Sequence, residues 1–459
     1  MLKFRSGLDV LESKNYLYIQ SFGCQMNLHD GRRMVEVLGS HGYQVTDQPE
    51  KASVILLNTC SIREKTQAKI LSALGRYAGL KRKKPDLLLG VAGCVAQQEG
   101  AKLFAAAPFL DLVFGPDHIV ELPRLIQEAQ KAKKVQIGFV DANEYSFLRA
   151  IPRPGQEDPT ALITIQKGCD NHCSYCIVPL VRGPTISRSA DDIISEVRDL
   201  VDAGVKEVTL IGQNVNAYRG YQETGEDFIF LLRQLNQVAG LERIRFTTSH
   251  PKDFSDDLCL CFKELDHLCP WLHLPVQSGS SEILRRMKRG YSREDYLKII
   301  TRARQVCPDI SIGTDFIVGF PGESVDHFQE TMSLLEEIQF DYAYSFKYSM
   351  RPGTPAEQLE DDVPETEKSR RLHHLQSVQN KITQFRLSAM VGRTVPVLVE
   401  GPSRKGLPQV CGRTPGNHIV NFDIHRPEVP TGDVVQVSIS EAGSHSLKGR
   451  IFQEGMEGT

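Results

Sequence analysis

Continuous apolar runs alternate with amphipathic stretches through the first third of the chain. YLYIQSFG (16–23), SVILLN (53–58) and LLLGVAG (87–93) are short and almost wholly apolar. Strands of a parallel sheet covered on both faces have this character. Helix-like stretches follow, DGRRMVEVLGSHG after the first and EKTQAKILSALGRYAGL after the second. The repeated strand–helix unit predicts an α/β domain over residues 1–145 built on a doubly wound parallel sheet. IPRPGQEDP, with Pro152, Pro154 and Pro159, reads as a linker.

A second series occupies residues 160–362. Strand-like runs fall at LITIQ (162–166), EVTLIGQ (207–213), RIRFTTS (243–249), WLHLPVQ (271–277), SIGTDFIVGF (311–320) and DYAYSFKYS (341–349). Helical patterns such as SADDIISEVRDLVDAG (189–204) and REDYLKIITRARQV (293–306) lie between them. Six repeats predict a (β/α) barrel or partial barrel, whose chemistry sits at the C-terminal ends of its strands. The stretch 364–392 is a long charged helix leading to the tail. There TVPVLVEG, VCGRT, HIVNF and VVQVSIS are short strands separated by Gly/Pro turns, which predicts a small β-barrel over residues 388–453.

Composition narrows the function. The 459 residues are 41% hydrophobic and 24% charged, an ordinary globular balance. Net charge is −3, so no global basic field exists and a nucleic acid must be held by local patches. One such patch is 62–84, where Arg63, Lys65, Lys69, Arg76, Lys81, Arg82, Lys83 and Lys84 face a single acidic residue, Glu64. The tail adds Arg393, Arg404, Lys405, Arg413, Arg426, Lys448 and Arg450, with Phe422 as a stacking candidate. A solvated helix face with a basic loop explains the first patch equally well. The N-terminal MLKFRSGLDVLESKN shows no apolar signal region, and no apolar run is long enough to span a bilayer. A cytoplasmic protein without a membrane partner is expected.

Eleven cysteines, without a secretion signal, suit metal ligation or catalysis better than a disulfide framework. Cys169, Cys173 and Cys176 form C-x3-C-x2-C directly after the strand LITIQ. A tight loop with three thiolates can hold three irons of a cubane 4Fe–4S cluster and leave the fourth open to a small molecule. A zinc site completed by a distant His or Cys is the competing reading. Electron transfer of the ferredoxin kind is disfavoured, because no fourth cysteine lies nearby. Cys24, Cys60 and Cys94 are spaced by about one strand–helix repeat, and each follows an apolar strand as QSFGC, LLNTC and GVAGC. In a parallel sheet they emerge at one C-terminal edge and make a second candidate metal site. Cys259, Cys261, Cys269, Cys307 and Cys411 lack such placement and are taken as structural.

These residues carry a family resemblance that covers nearly the whole chain. C-x3-C-x2-C after the first barrel strand resembles the radical S-adenosylmethionine (SAM) enzymes. GCQMNLHD, NTCSIREKTQAK and GCVAQQEG look like the methylthiotransferase domain that precedes that core in one branch, and the tail is similar to the RNA-binding TRAM module. The wording GCQMN, NTCSIRE and GCVAQ is similar to the branch acting on dimethylallyladenosine beside the anticodon of tRNA. The alternatives within the family are methylthiolation of a ribosomal-protein aspartate or of threonylcarbamoyladenosine in tRNA.

The resemblance implies two 4Fe–4S clusters: one on Cys169, Cys173 and Cys176 that binds and reductively cleaves SAM, and an auxiliary one on Cys24, Cys60 and Cys94. A 5′-deoxyadenosyl radical would take a hydrogen from carbon 2 of the adenine, chemistry beyond side-chain bases. A second SAM would supply the methyl group, and the auxiliary cluster would carry the sulfur. SAM contacts are expected from Gln213 and Asn214 in IGQNVNAY, from Gln277 and Ser278 in LPVQSGS, and from Ser187 and Arg188 in RGPTISRS. Where relatives often carry RGRE, Arg182 and Gly183 are here followed by Pro184 and Thr185, which removes an acidic residue from that loop. Implied partners are the modified tRNA and an electron donor such as flavodoxin or ferredoxin, with the chain itself a monomer.

Overall fold

The computed structural model describes residues 15–61, 65–151, 158–220, 225–403, 406, 408–423 and 429–452. It divides into two units, Met1–Leu148 and Arg149–Thr459. Pro152 and Pro154 of the expected linker lie outside the described residues.

The first unit is built on six parallel strands: β1 (Asn15–Ser21), β2 (Tyr43–Val45), β3 (Val54–Thr59), β4 (Leu88–Gly93), β5 (Leu112–Phe114) and β6 (Lys134–Gln136). Their order in the sheet is β2-β1-β3-β4-β5-β6. Every residue of β3 and β4 is buried. Ile55, Leu57, Leu89 and Val91 pack on one face against Ile70, Ala73 and Leu74 of the helix Lys65–Lys83. Val54, Leu56, Leu88 and Ala92 pack on the other against Met34 and Leu38 of Gln25–Gly39 and Leu125 of Leu122–Ala129. Burial on both faces is why these runs read as unbroken apolar segments, and each such side chain contributes about 1.5–3 kcal/mol. The doubly wound sheet is as expected.

The second unit opens with β7 (Thr160–Thr164), β8 (Gln166–Lys167), β9 (Ile186–Ser187), β10 (Glu207–Ile211), β11 (Arg243–Phe246), β12 (Trp271–His273), β13 (Ser311–Val318) and β14 (Tyr342–Lys347). β7, β10 and β11 form one parallel sheet, and β12, β13 and β14 another. The two are joined through Ile244, whose N–H donates to His267 O at 2.7 Å and whose carbonyl accepts from Cys269 N at 2.9 Å. Among the described residues β7 and β14 do not pair, so the six strands make an open partial barrel. Several of its helices start on serine caps. Ser189 accepts from Asp192 N, and Ser292 forms a capping box with Asp295.

The charged helix Glu365–Ser388 does more than connect. Lys368, Arg371, Leu375, Gln379, Thr383 and Leu387 form a buried stripe. Along it Gln379 donates to Phe340 O at 2.9 Å and Thr383 to Asp341 O at 2.8 Å, beside β14. After it β15 (Thr394–Pro402), β16 (Gln409–Arg413), β17 (Ile419–Asp423), β18 (Val434–Ala442) and β19 (Leu447–Ile451) close into a barrel in the order β15-β16-β17-β19-β18. This small barrel is hydrogen-bonded to the floor of the large one. Arg243 donates to Arg413 O at 2.8 Å, and Arg245 to Thr414 O at 2.8 Å and Pro415 O at 2.6 Å. Arg245 also pairs with Glu207 at 2.8 Å.

Candidate cluster-binding sites

In the first unit the strand order reverses between β1 and β3, the switch point where open α/β sheets bind ligands. In register, Ser21 pairs with Asn58, Asn58 with Ala92 and Thr59 with Gly93. Cys60 and Cys94 therefore leave adjacent strands one residue beyond a paired position. Cys24 caps the helix Gln25–Gly39, whose N-terminal N–H groups favour an anionic sulfur. Two glycines bring these ends close. Gly23 has φ +111°, and a Cβ on it would stand 2.2 Å from Cys60 Cβ. Gly93 has φ +88°, and a Cβ there would stand 2.4 Å from Thr59 O. Asn58 ties the loops together by donating to Asn27 O at 2.6 Å.

In the second unit Cys169 follows β8, near the C-terminal end of the first barrel strand. Gly168, with φ +78°, sets the turn, since a Cβ on it would meet Pro184 O at 1.9 Å. Cys169 N donates to Gly183 O at 3.2 Å, and Cys176 N to Cys173 O at 3.0 Å. Ser174 Oγ anchors the loop on Arg286 O at 2.9 Å. Among the described residues no three His, Cys, Asp or Glu side chains form a site for a single metal ion.

The surroundings of Cys173 test whether these residues fit a cluster. Arg289 is buried and donates from Nη1 to Cys173 Sγ at 3.4 Å, from Nη2 to Pro275 O at 2.8 Å and from Nε to Tyr291 Oη at 2.9 Å. Among the described residues no carboxylate pairs with it. A buried guanidinium needs an anion, and cluster-bound thiolates supply one. Burial pushes the Cys176 thiol up to about 12 and raises Cys169 as well, so without a cation these sulfurs stay protonated. His250 Nε2 stands 3.9 Å from Cys173 Sγ, and burial, then Arg289 and Lys252, push its pKa down to about 2. Both causes favour the neutral imidazole.

The expected SAM contacts fall into two groups. Gln213 accepts from Gly168 N of the cysteine loop, and its buried Nε2 makes no hydrogen bond among the described residues. Asn214 donates to Asp253 at 2.7 Å and leaves its Oδ1 unused, while Gln277 is buried at φ +75° and bridges to Phe316 of β13. Ser278 and Arg188 are engaged within the protein. Ser278 Oγ meets Thr331 Oγ1 at 3.3 Å and Ser280 N at 3.2 Å. Arg188 donates to Asp192 at 2.7 Å and Glu196 at 2.5 Å. Ser187 ends the short strand β9, in register with Gln166. Sequence reasoning missed Tyr175, His250, Arg289 and Tyr291, which reach the Cys173 loop from more than 70 residues away or, for Tyr175, lie within it unnoticed.

The basic residues also divide. Lys81 is held by Asp111 at 2.6 Å and Lys84 by Ala52 O at 2.6 Å, whereas Arg76, Arg82 and Lys83 are exposed. Arg413 pairs with Glu400 at 3.0 Å and Lys448 with Glu441 at 2.6 Å. Phe422 is buried in the small barrel's core with Val397 and Val437, because the alternation of β17 turns it inward. It offers no stacking face, contrary to the expectation. Arg63, Glu64, Arg404, Lys405 and Arg426 lie outside the described residues, as do the side chains of Lys65 and Lys69.

Comparison with known proteins matches three stretches. Residues 16–115 match the uncharacterized protein family UPF0004, residues 163–335 the radical SAM superfamily and residues 388–452 the TRAM domain. The fold is shared with the radical S-adenosylmethionine methyltransferase TsrM of Kitasatospora setae, at a TM-score of 0.54 over 75% of each chain and 14% identity. The class is thus that of radical SAM proteins. The tRNA-2-methylthio-N6-dimethylallyladenosine synthases of Bordetella pertussis and Haemophilus ducreyi are 46% and 45% identical to it. The alignments cover 95% of this chain and 98% and 92% of theirs. The chain belongs to the tRNA-2-methylthio-N6-dimethylallyladenosine synthase family, whose cofactors are 4Fe–4S clusters and SAM.

Proposed function

We propose that this chain adds a methylthio group to carbon 2 of dimethylallyladenosine beside the anticodon of tRNA. The observation that carries the reading is the pairing of two cysteine triads, one in a loop at a barrel strand end and one across three adjacent strand ends. When bound, two 4Fe–4S clusters and SAM supply the C–H activation, the sulfur and the methyl group. Cys169, Cys173 and Cys176 hold the cluster that takes SAM; Cys24, Cys60 and Cys94 hold the auxiliary one. Arg289 offsets the negative charge at Cys173, and the buried surroundings keep water out. Gln213 and Asn214, with polar atoms unused, face SAM together with Gln277. Ser278 and Arg188 position the strand end and the loop.

The working domains are 1–145, 160–362 and 388–453, the last holding RNA through its exposed basic residues. Among the described residues no helix is long and apolar enough to cross a membrane. The chain acts as a cytoplasmic monomer reduced by flavodoxin or ferredoxin. Mass spectrometry of tRNA nucleosides from cells with and without the gene tests the reaction. Loss of the methylthio nucleoside with build-up of dimethylallyladenosine is the expected result, and unchanged tRNA would overturn it.

A further inference from the structure

The inner face of the partial barrel is polar and aromatic where β12, β13 and β14 run side by side. Leu272, Ile312, Phe316 and Ala343 pack outward in the main core, so alternation turns His273, Gly313, Asp315, Tyr342 and Tyr344 inward. Register aligns them in layers. His273 pairs with Gly313 and Gly313 with Tyr342; one step toward the strands' C-terminal ends, Asp315 pairs with Tyr344. A closed barrel fills such layers with branched aliphatic side chains. Here the filling is different in kind.

Gly313 makes the arrangement possible. A Cβ on it would lie 2.0 Å from the Tyr342 ring, and without one that ring lies parallel to His273 at 5.7 Å and 7°. Tyr342 Oη meets His273 Nδ1 at 3.2 Å. Tyr344 stands edge-on to both rings, 5.6 Å from Tyr342 and 6.0 Å from His273, yet is 54% exposed. Beside it Asp315 has a buried Oδ1 that accepts no hydrogen bond among the described residues. His273 Nε2 is 3.4 Å from it but outside hydrogen-bond geometry. Ile317, two residues further along β13 and so about 7 Å nearer the strand end, packs on the same apolar cluster as Tyr175 of the cysteine loop.

An aromatic face open to solvent next to a partly exposed carboxylate, that of Asp315, is what an unpaired purine needs, since its face stacks and its exocyclic N–H donates. We infer that Tyr344 and Asp315 form the seat of the target nucleobase inside the barrel, with His273 and Tyr342 as positioning residues. The inference rests on the RNA-modifying reading above and extends it to named residues. Splaying one base out of a loop to reach the seat costs little, because that base is single-stranded already.

The test measures binding of the full-length, cluster-loaded chain to two anticodon stem-loops by fluorescence anisotropy. One carries dimethylallyladenosine, and the other is abasic at that nucleotide. The wild type should bind the first about ten-fold more tightly, the scale of one base stack. Tyr344→Ala should bind both alike, and Tyr344→Phe, which keeps the ring, should retain the preference. Because Tyr344 is half-exposed, its truncation leaves the fold intact, and matched iron content checks this. A Tyr344→Ala chain that keeps the ten-fold preference overturns the seat, as does one weakened equally toward both RNAs. Nucleoside analysis with the wild type separates the two readings. A methylthio product together with unchanged preference in Tyr344→Ala defeats only the seat, whereas no product defeats the function itself.

Discussion

The two cysteine triads are built by opposite means. Cys169, Cys173 and Cys176 sit within eight residues, and their geometry is local: a positive-φ glycine, hydrogen bonds inside the loop and a serine anchored on Arg286 O. Cys24, Cys60 and Cys94 come from three strand ends set by sheet register, each one to three residues past the end of β1, β3 or β4, with Gly23, Gly93 and Asn58 drawing those ends together. A local loop survives small shifts of its scaffold, whereas a register-built site fails when any of three strands moves. The barrel triad also has a buried cation of its own, Arg289, which suits a cluster that must accept an electron.

The largest expected effects separate the triads by outcome. Cys173→Ala should abolish all turnover, because SAM can no longer be cleaved. Cys60→Ala should still release 5′-deoxyadenosine but yield no methylthio nucleoside. Chromatography of both products from one assay reads the difference, and methylthio product from the Cys60 variant would remove the auxiliary-cluster assignment.

Next in size are the glycines that shape each site. Gly23→Ala forces a Cβ to within 2.2 Å of Cys60 Cβ, a contact that cannot persist, on top of a φ that L-residues avoid. Roughly half of the iron should be lost, with uncoupled SAM cleavage retained. Gly168→Ala should lose the other half, and SAM cleavage with it. If Gly23→Ala emptied both sites, the claim that the triads are built independently would fall.

What was legible in the sequence follows the same division. The fully buried strands β3 and β4 and all six barrel strands announced themselves as apolar runs. β2, β5 and β6 have three residues each, too few to show a pattern, and β19, LKGRI, has only two apolar residues. C-x3-C-x2-C could be read as a motif, while the spread triad needed the argument from equivalent strand ends. Arg289, His250 and Tyr291 could not be found that way. They arrive from loops whose path depends on positive φ at Thr248, Gln277 and Lys288, residues that carry no such signal. The pairing of Arg188 with Asp192 and Glu196, at four and eight residues on, follows helix spacing but could not be told from the sequence apart from an exposed position on the loop.

A smaller and more selective change is expected from Arg289→Gln. Removing a positive charge beside Cys173 makes electron uptake less favourable, so the potential of that cluster should fall while the auxiliary one stays unchanged. Reductive titration followed by electron paramagnetic resonance distinguishes the two. A shift in both, or in neither, would mean that Arg289 shapes the loop without tuning its charge.

The smallest effect probes the ties between the strand ends of the first unit. Asn58 is wholly buried between β1 and β4 and donates from Nδ2 to Asn27 O at 2.6 Å and to Ser21 Oγ at 3.4 Å. It thus links the strand bearing Cys60 to the helix that Cys24 caps. Asn58→Ala leaves a buried carbonyl without its donor, at a cost of about 1–3 kcal/mol, measurable as a lower urea midpoint for the first unit. No loop of the barrel is touched. Iron should therefore leave the Cys24, Cys60 and Cys94 site faster under a chelator, while SAM-dependent deoxyadenosine formation holds at the wild-type rate. Equal loss from both sites would show that the two triads share a stability that their separate construction does not predict.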